Sequence, residues 1–216
     1  MGNKSKIHTV YKTAEGERVP SVTSVLKILA KPALIHWAWN LGCKGIDYRK
    51  YRDDKADIGS LAHRMILCHL KNEKCEMDEY SKDQIDKAEN CFLKYLEWER
   101  HHKIEPILVE HPLVSEIWKF GGTPDFYGLI NGVYCLMDFK TGKDIYPEYF
   151  YQLAGYDLLL RNYQRPKYYR ILNIGRDETE KFKEEIKEDI KIEGRIFLHC
   201  LRIYELLKIQ KDGNKE

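Results

Sequence analysis

Apolar residues recur at helical spacing through much of the first half of the chain. This pattern predicts one helix over Ile58–Leu70 and another from Ser81 to about His102. Ser81 and Gln84 fit a capping box at the start of the second helix. Residues 1–103 are therefore predicted to form a mainly helical N-terminal part. Two shorter helices are predicted upstream, at about Ser21–Ala30 and Pro32–Cys43.

The pattern of the second half changes to short β-type runs and two further helices. Runs of aromatic and β-branched residues predict strands, and longer amphipathic stretches predict helices. The predicted strands are Pro106–Trp118 with an interruption at Pro112, residues 119–130, residues 133–139 and Tyr168–Ile174. The predicted helices are Tyr146–Leu160 and Phe182–Leu207.

A β-hairpin is the most specific local prediction. Asn131-Gly132 separates two strand-like runs, and both residues tolerate the positive φ angles of a two-residue hairpin turn. Such a turn sets the register, so Ile130 faces Val133.

The same register brings three charged residues together. Asp125 faces Asp138, and side-chain alternation puts Lys140 on the same face as Asp138. Two facing carboxylates repel each other, and a hard divalent cation such as Mg²⁺ would remove this penalty. Lys140 could then hold a water molecule or neutralise a phosphate. The alternative is an ordinary surface ion pair between Asp138 and Lys140, with Asp125 in a loop.

Two short motifs in this region resemble a known family. Pro124-Asp125 followed by Asp138-Phe139-Lys140 resembles the signature of the PD-(D/E)XK nuclease superfamily. Gln152 and Tyr156 resemble the Q-x-x-x-Y motif of its RecB-type exonuclease branch. The hairpin and both motifs occur in the expected order, which is more specific than either motif alone.

Upstream segments extend the resemblance. Gly59 and His63 resemble the G-x-x-x-H helix of RecB-type nucleases, in which the histidine is an additional metal ligand. Considered alone, His63 would more often be an ordinary helix histidine. Residues 20–26 (PSVTSVL) resemble the opening of phage-type exonucleases and of the mitochondrial genome maintenance exonuclease group. Glu110 resembles the acidic position on the first strand, where a salt bridge and a metal or water contact are both compatible with the sequence.

The resemblance implies a fold and an activity. The fold is α/β, with a central mixed β-sheet flanked by helices as in restriction endonucleases. A single nuclease domain would span residues 1–216, with its catalytic sheet core at 104–175 and a C-terminal helix at 180–208. The activity is a Mg²⁺- or Mn²⁺-dependent DNA exonuclease of recombination, repair or phage DNA metabolism. A structure- or site-specific endonuclease and a non-catalytic DNA-binding module are the alternatives.

The resemblance also assigns roles to individual residues. Asp125, Asp138 and Lys140 would be catalytic. The metal would be held by Asp125 and Asp138 together with His63, the backbone carbonyl of Phe139 and Glu110. DNA would be contacted by Gln152, Tyr156 and Thr141, while Tyr149 and its neighbours would either stack on bases or pack in the core.

Charge adds one candidate surface. The chain has 216 residues, 32% of them charged, but its net charge is only +2. Any basic surface for DNA must therefore be local. Arg49 and Arg52 lie in a basic cluster interleaved with Tyr48 and Tyr51. This cluster is either a solvated loop or a patch that guides a DNA strand.

The remaining features concern cofactors and location. None of the six cysteines forms C-x-x-C, and only Cys200 follows the signature, so we predict no iron–sulfur cluster. No apolar run approaches the roughly 20 residues of a membrane span. The first ten residues lack an apolar signal core, which favours the cytoplasm of a bacterium or a phage-infected cell. Cleavage polarity, strand preference, DNA against RNA, oligomeric state and partner proteins stay open.

Overall fold

The structure of the protein is a computed structural model that describes residues 9–176 and 180–213. The helices are α1 (Val22–Leu26), α2 (Pro32–Cys43), α3 (Tyr48–Lys71), α4 (Lys82–Glu99), α5 (Pro147–Leu159) and α6 (Lys191–Gly213). The strands are β1 (Tyr11–Lys12), β2 (Arg18–Val19), β3 (Ile104–Val109), β4 (Leu113–Ser115), β5 (Phe120–Gly122), β6 (Phe126–Ile130), β7 (Val133–Lys140), β8 (Tyr168–Asn173) and β9 (Lys183–Lys187). Two predictions concern residues outside the described ranges. The absence of a signal core was predicted partly from residues 1–8, and the outer limits of the predicted domain lie within residues 1–8 and 214–216.

A five-stranded sheet forms the centre of the molecule. Its strand order is β3-β6-β7-β8-β9, with β7 and β8 parallel and the other neighbours antiparallel. One face packs against α1, α5 and α6, and the other packs against α3 and α4. The predicted α/β fold, with a central mixed sheet, flanking helices and an N-terminal helical part, is confirmed.

The hairpin of β6 and β7 has the predicted register. Ile130 pairs with Val133, and the ladder continues to Phe126 opposite Met137. Asn131 and Gly132 have φ angles of 52° and 78°, as a two-residue turn of this kind requires. The next residues beyond this ladder are the two aspartates, so the turn chemistry positions the candidate site.

The basic cluster is not a loop, and that alternative is wrong. Helix α3 begins at Tyr48, ten residues before the predicted start. Asp47 caps it, because its side chain accepts hydrogen bonds from the backbone N–H groups of Arg49 (2.8 Å) and Lys50 (3.3 Å). The first turns are charged on every side and lie in solvent, so no apolar stripe marked them as helical.

Two of the predicted strands are each divided. The first divides into β3 and β4 near Glu110, whose φ of 49° breaks the extended chain before Pro112. The second divides into β5 and β6. Strands β4 and β5 pair with each other in a separate two-stranded sheet, apart from the central sheet. This small hairpin is held by the Gly121 N–H, which donates to the Pro20 carbonyl at 2.9 Å.

The C-terminal helix begins later than predicted. Residues Lys183–Lys187 form the edge strand β9, and α6 starts only at Lys191. The backbone N–H and C=O groups at the open edge of β8 form hydrogen bonds with this segment. This pairing outweighs the helical pattern of its sequence. The charged side chains of β9 (Lys-Glu-Glu-Ile-Lys) then protect the new edge against further strand addition.

Helix α2 has the predicted bounds but an unexpected environment. Trp37 and Trp39 do not pack in the core, since α2 has no buried residue. Trp39 is 65% exposed, and Trp37 contacts the ring of Tyr51 at a centroid distance of 6.1 Å. Neither α2 nor any other helix within residues 9–176 and 180–213 has the length and apolarity to cross a bilayer.

Candidate active site

Two aspartates lie side by side at one end of the central sheet. Asp125 directly precedes β6, and Asp138 lies within β7, one step beyond the last pair of the hairpin ladder. Asp138 is completely buried and Asp125 is 9% exposed. Charged carboxylates are buried only where specific partners compensate for lost hydration, so the surroundings of these two residues define the site.

Asp125 is held by a histidine and a backbone amide. Its Oδ2 lies 2.9 Å from His63 Nε2 and accepts a hydrogen bond of 2.8 Å from the Phe139 N–H. Burial acts to raise the pKa of Asp125, but His63, Lys140 and the Phe139 N–H together outweigh it, so the pKa is lowered. Burial likewise acts to lower the pKa of His63, but Asp125 outweighs it, so that pKa is raised.

Asp138 has a different environment. Its Oδ1 accepts a hydrogen bond of 3.1 Å from Gln152 Nε2. Its Oδ2 forms an ion pair with the Lys140 ammonium but accepts no hydrogen bond of regular geometry. Burial raises the pKa of Asp138 to about 6, against the opposing effect of Lys140.

Lys140 and Gln152 connect the carboxylates to helix α5. Lys140 Nζ donates to Gln152 Oε1 at 3.2 Å and lies 5.1 Å from the centre of the Tyr149 ring. Gln152 also donates to the Tyr156 hydroxyl at 2.9 Å, as their spacing of four residues on one helical face allows. Tyr156 is only 5% exposed, so it supports Gln152 from the core side.

Close backbone contacts hold α3 against this end of the sheet. Gly59 is buried in α3, and a Cβ added there would overlap the side-chain hydroxyl of Thr141, the residue that follows β7. His63 lies one helical turn further along α3 on the same side. The glycine of the G-x-x-x-H pattern thus lets the helix approach closely enough for His63 to reach Asp125.

Glu110 is placed beside the site but paired elsewhere. Its Oε2 lies 3.0 Å from Lys71 Nζ, while its backbone N–H donates to the Asp125 carbonyl at 3.1 Å. Glu110 and His63 both line a cavity of about 180 Å³. The salt bridge that the sequence allowed is therefore present, and a metal contact would require Glu110 to leave Lys71.

Arg49 and Arg52 are not brought to the carboxylates. Arg49 lies fourteen residues before His63 on α3, about 21 Å along the helix axis. Its guanidinium lies 5.8 Å from the centre of the Tyr48 ring, and Arg52 Nε donates to Asp53 at 2.8 Å. They form an exposed basic surface at the far end of the helix that carries His63.

The side chains of the site are suited to a hard divalent cation. Within the described ranges, no three His, Cys, Asp or Glu side chains converge in a ready metal-binding arrangement. His63 and Lys140 instead lie directly on the carboxylate oxygens. Even so, two carboxylates on adjacent strands and a buried Oδ2 that accepts no hydrogen bond are the oxygen ligands that Mg²⁺ prefers. The residues therefore fit the predicted ion.

Sequence reasoning missed supporting residues that are distant along the chain. The Tyr11 hydroxyl lies 2.7 Å from Thr123 Oγ1, just before Asp125, across a separation of 112 residues. Val22, from the PSVT segment, packs so closely against Gly122 and Gly155 that a Cβ atom added to either glycine would collide with it. No local pattern distinguishes such residues, because their contacts exist only in the folded chain.

Comparison with known proteins finds only weak structural similarity. No family model and no curated protein sequence matches the chain. An alkaline exonuclease (LHK-Exo) from Laribacter hongkongensis is 16% identical, with a TM-score of 0.33, over 74% of this chain and 91% of that one. Its complex with dAMP gives the same identity and TM-score over 75% and 91%. The structure titled SSO0001 is 13% identical, with a TM-score of 0.34, over 56% of this chain and only 59% of that one. Similarity at this level transfers no function.

Proposed function

We propose that this protein is a divalent-metal-dependent deoxyribonuclease of the PD-(D/E)XK superfamily and its RecB-type branch. The observation that carries the proposal is the environment of Asp138. This fully buried carboxylate lies beside a second carboxylate, Asp125, and forms an ion pair with the Lys140 ammonium. Such a group is expensive to bury for structure alone, and perturbed carboxylates of this kind concentrate at catalytic sites.

Asp125 and Asp138 would hold Mg²⁺ or Mn²⁺, with the Phe139 carbonyl and His63 as further ligands. The ion, when bound, supplies a Lewis acid that neutralises charge on the phosphodiester. Glu110 would be an additional ligand, either directly or through water. His63 lies on the rigid helix α3, already 2.9 Å from Asp125. The arrangement of the metal ligands would therefore depend on how α3 packs against the sheet.

Lys140 would act on the water that attacks the phosphodiester. Hydrolysis forms a bond between a water oxygen and phosphorus and breaks the bond to the leaving oxygen, which takes up a proton. The Lys140 ammonium can orient this water and stabilise negative charge as it develops. Gln152 holds Lys140 through its carbonyl and Asp138 through its amide. The role of Gln152 is therefore to hold the Lys140 ammonium and the Asp138 carboxylate in fixed positions relative to each other.

The DNA strand would pass beside α5 and the start of α3. Gln152 and Thr141 border the carboxylates and can contact the nearest phosphates. Tyr156 would contribute from the core side, because its hydroxyl holds the Gln152 side chain in place. Arg49 and Arg52 could guide a strand further away, near Tyr51, whose ring contacts Trp37 of α2. Attack from a DNA end, in recombination, repair or phage DNA metabolism, is the activity that this arrangement and the sequence motifs favour.

A paired digestion tests the proposal. End-labelled linear single- and double-stranded DNA would be incubated beside a closed circle, in Mg²⁺, Mn²⁺ or EDTA. Wild type would be compared with Lys140→Ala and with the control Lys143→Ala, which removes an exposed lysine of the following loop. We expect metal-dependent loss of the linear DNA alone, abolished by Lys140→Ala and unchanged by Lys143→Ala.

Other outcomes identify the alternatives. A nicked or linearised circle would assign an endonuclease of the same fold. Binding without cleavage in either metal would assign a non-catalytic DNA-binding module. Full cleavage by Lys140→Ala, or cleavage in EDTA, would contradict the assigned chemistry.

A further inference from the structure

Lys140 occupies a position that a metal ion would also need. Its ammonium forms an ion pair with Asp138 Oδ2 and donates to Gln152 Oε1 at 3.2 Å. Under the proposed function, Asp125 and Asp138 hold a divalent cation. An ammonium and a divalent cation repel each other strongly at such short range, so Lys140 has to move away from Asp138 when the cation binds. The ammonium then needs another acceptor.

The topology of the sheet fixes the direction of this movement. Strand β7 lies between β6 and β8, and Asp125 lies on the β6 side. A cation between the two aspartates would therefore repel Lys140 toward β8. The residue opposite Lys140 on β8 is Asn173, and the next residue, Ile174, donates its N–H to the Lys140 carbonyl at 2.7 Å. Neighbouring strands lie about 4.8 Å apart and facing residues share one face, so Asn173 is within reach of the Lys140 side chain.

The side chain of Asn173 has one amide atom without a partner. It is completely buried, and its Nδ2 donates to the Gly142 carbonyl at 2.9 Å. Its Oδ1, by contrast, accepts no hydrogen bond from any described residue. Buried amide oxygens are nearly always hydrogen-bonded, since an unpaired acceptor loses its hydration without compensation. The unpaired oxygen of Asn173 therefore indicates a donor that this arrangement of the site does not supply.

We propose that Asn173 is a positioning residue whose Oδ1 accepts the Lys140 ammonium when a divalent cation occupies the two aspartates. The inference rests on the proposed function, because it needs a cation at that place. Lys140 would then lie between Gln152 Oε1 and Asn173 Oδ1, two uncharged acceptors that do not compete with the aspartates for the cation. The hydrogen bond to Gly142 holds the amide so that its oxygen stays the acceptor. Asn173 would thereby keep the ammonium beside the reacting phosphate.

Titration of the full chain with Mn²⁺, without DNA, tests the proposal. The readout is the electron paramagnetic resonance signal of unbound Mn²⁺. Asn173→Leu removes the acceptor and nearly preserves the volume, so the displaced ammonium is left short of a partner. We expect the dissociation constant for Mn²⁺ to rise about five- to tenfold, a coupling of the size found between residues in contact. Circular dichroism checks the fold, and Asn173→Ala takes the place of Asn173→Leu if leucine prevents folding.

A double-mutant cycle separates the positioning of Lys140 from a purely structural role of Asn173. Lys140→Met keeps the length of the side chain but removes the ammonium that has to be displaced. In that background, Asn173→Leu should leave the Mn²⁺ affinity unchanged within about twofold. The matched control is Asn162→Leu, which makes the same change at an exposed asparagine after α5 and should bind Mn²⁺ like wild type.

Two results would overturn this inference alone. One is an equal loss of Mn²⁺ affinity from Asn173→Leu in the wild-type and Lys140→Met backgrounds, which would show that Asn173 acts only through the fold. The other is an Asn173→Leu protein that binds Mn²⁺ no more weakly than Asn162→Leu. In both cases wild type still binds Mn²⁺, so the proposed function stands. If wild type itself bound no Mn²⁺, the metal dependence of the proposed function would fail together with this inference.

Discussion

Gln152 forms hydrogen bonds with two oppositely charged side chains of the candidate site, Asp138 and Lys140. Its amide nitrogen donates to Asp138 and to the Tyr156 hydroxyl, and its carbonyl oxygen accepts from Lys140. Gln152 therefore contacts both the buried carboxylate and the ammonium. Glutamine suits this place because it offers a donor and an acceptor without adding charge.

Replacing Gln152 with Glu should therefore reduce catalysis more than stability. The change preserves shape but removes the donor to Asp138 and puts a second negative charge about 3 Å from it. Repulsion would raise the pKa of Asp138 further and draw Lys140 away from its present position. We expect kcat to fall by about 10² to 10³, as when one aligned donor of an active site is lost. Steady-state cleavage of end-labelled DNA measures the loss.

The matched control for this change is Gln164→Glu. Gln164 is exposed in the loop after α5, so the same change of charge there should leave kcat and the melting temperature unaltered. If Gln152→Glu instead cleaved DNA at the wild-type rate, Gln152 would have no positioning role. If it unfolded the protein, the experiment would be repeated with Gln152→Met, which keeps the volume and adds no charge.

At the scale of elements, local chemistry predicted some boundaries well and others not at all. The Asn131-Gly132 turn and the Ser81 capping box are decided by neighbouring residues, and both form as expected. Strand β9 depends instead on the open edge of β8, and the first turns of α3 lie in solvent without an apolar stripe. Pairing and solvation of that kind leave no periodic signal in the sequence.

The contact between α3 and the end of β7 explains why residue 59 is glycine. A Cβ there would overlap the Thr141 hydroxyl, so Gly59→Ala should push α3 outward and carry His63 away from Asp125. We expect an overpacking cost of about 1–3 kcal/mol, partly offset by the better helix propensity of alanine. Urea denaturation measures this cost, and metal-dependent cleavage measures the displacement of His63.

A second substitution tests the cause. Thr141→Ala removes the hydroxyl, so the double variant Gly59→Ala/Thr141→Ala should recover most of the stability lost in Gly59→Ala. Gly194→Ala is the control, because this α6 glycine has open space around it and should gain up to about 1 kcal/mol from helix propensity. Additive effects of Gly59→Ala and Thr141→Ala would show that the two side chains do not interfere.

At the scale of the whole molecule, the fold gathers residues that the sequence could only propose separately. His63, Asp125, Asp138, Lys140 and Gln152 come from α3, the start of β6, β7 and α5, and the fold joins them in one contact network. The hairpin register and the motifs predicted this grouping. They could not predict that Glu110 pairs with Lys71, because that contact spans 39 residues and depends on how α3 lies against β3.

Under the proposed function, the near-neutral charge of the molecule means that DNA would have to be attracted by local basic surfaces. Net charge is only +2, so steering must come from patches such as Arg49 and Arg52, about 16–21 Å along α3 from His63. The double change Arg49→Gln/Arg52→Gln should raise KM with kcat unaltered, because these residues do not touch the carboxylates. The slope of log affinity against log salt should fall by roughly 1.4–1.8 if each arginine neutralises one phosphate.

Arg202→Gln is the control: this exposed arginine on α6 is paired with Glu205, as Arg52 is with Asp53. An unchanged salt slope in the double variant, or an equal loss in the control, would exclude this end of α3 from the path of the DNA.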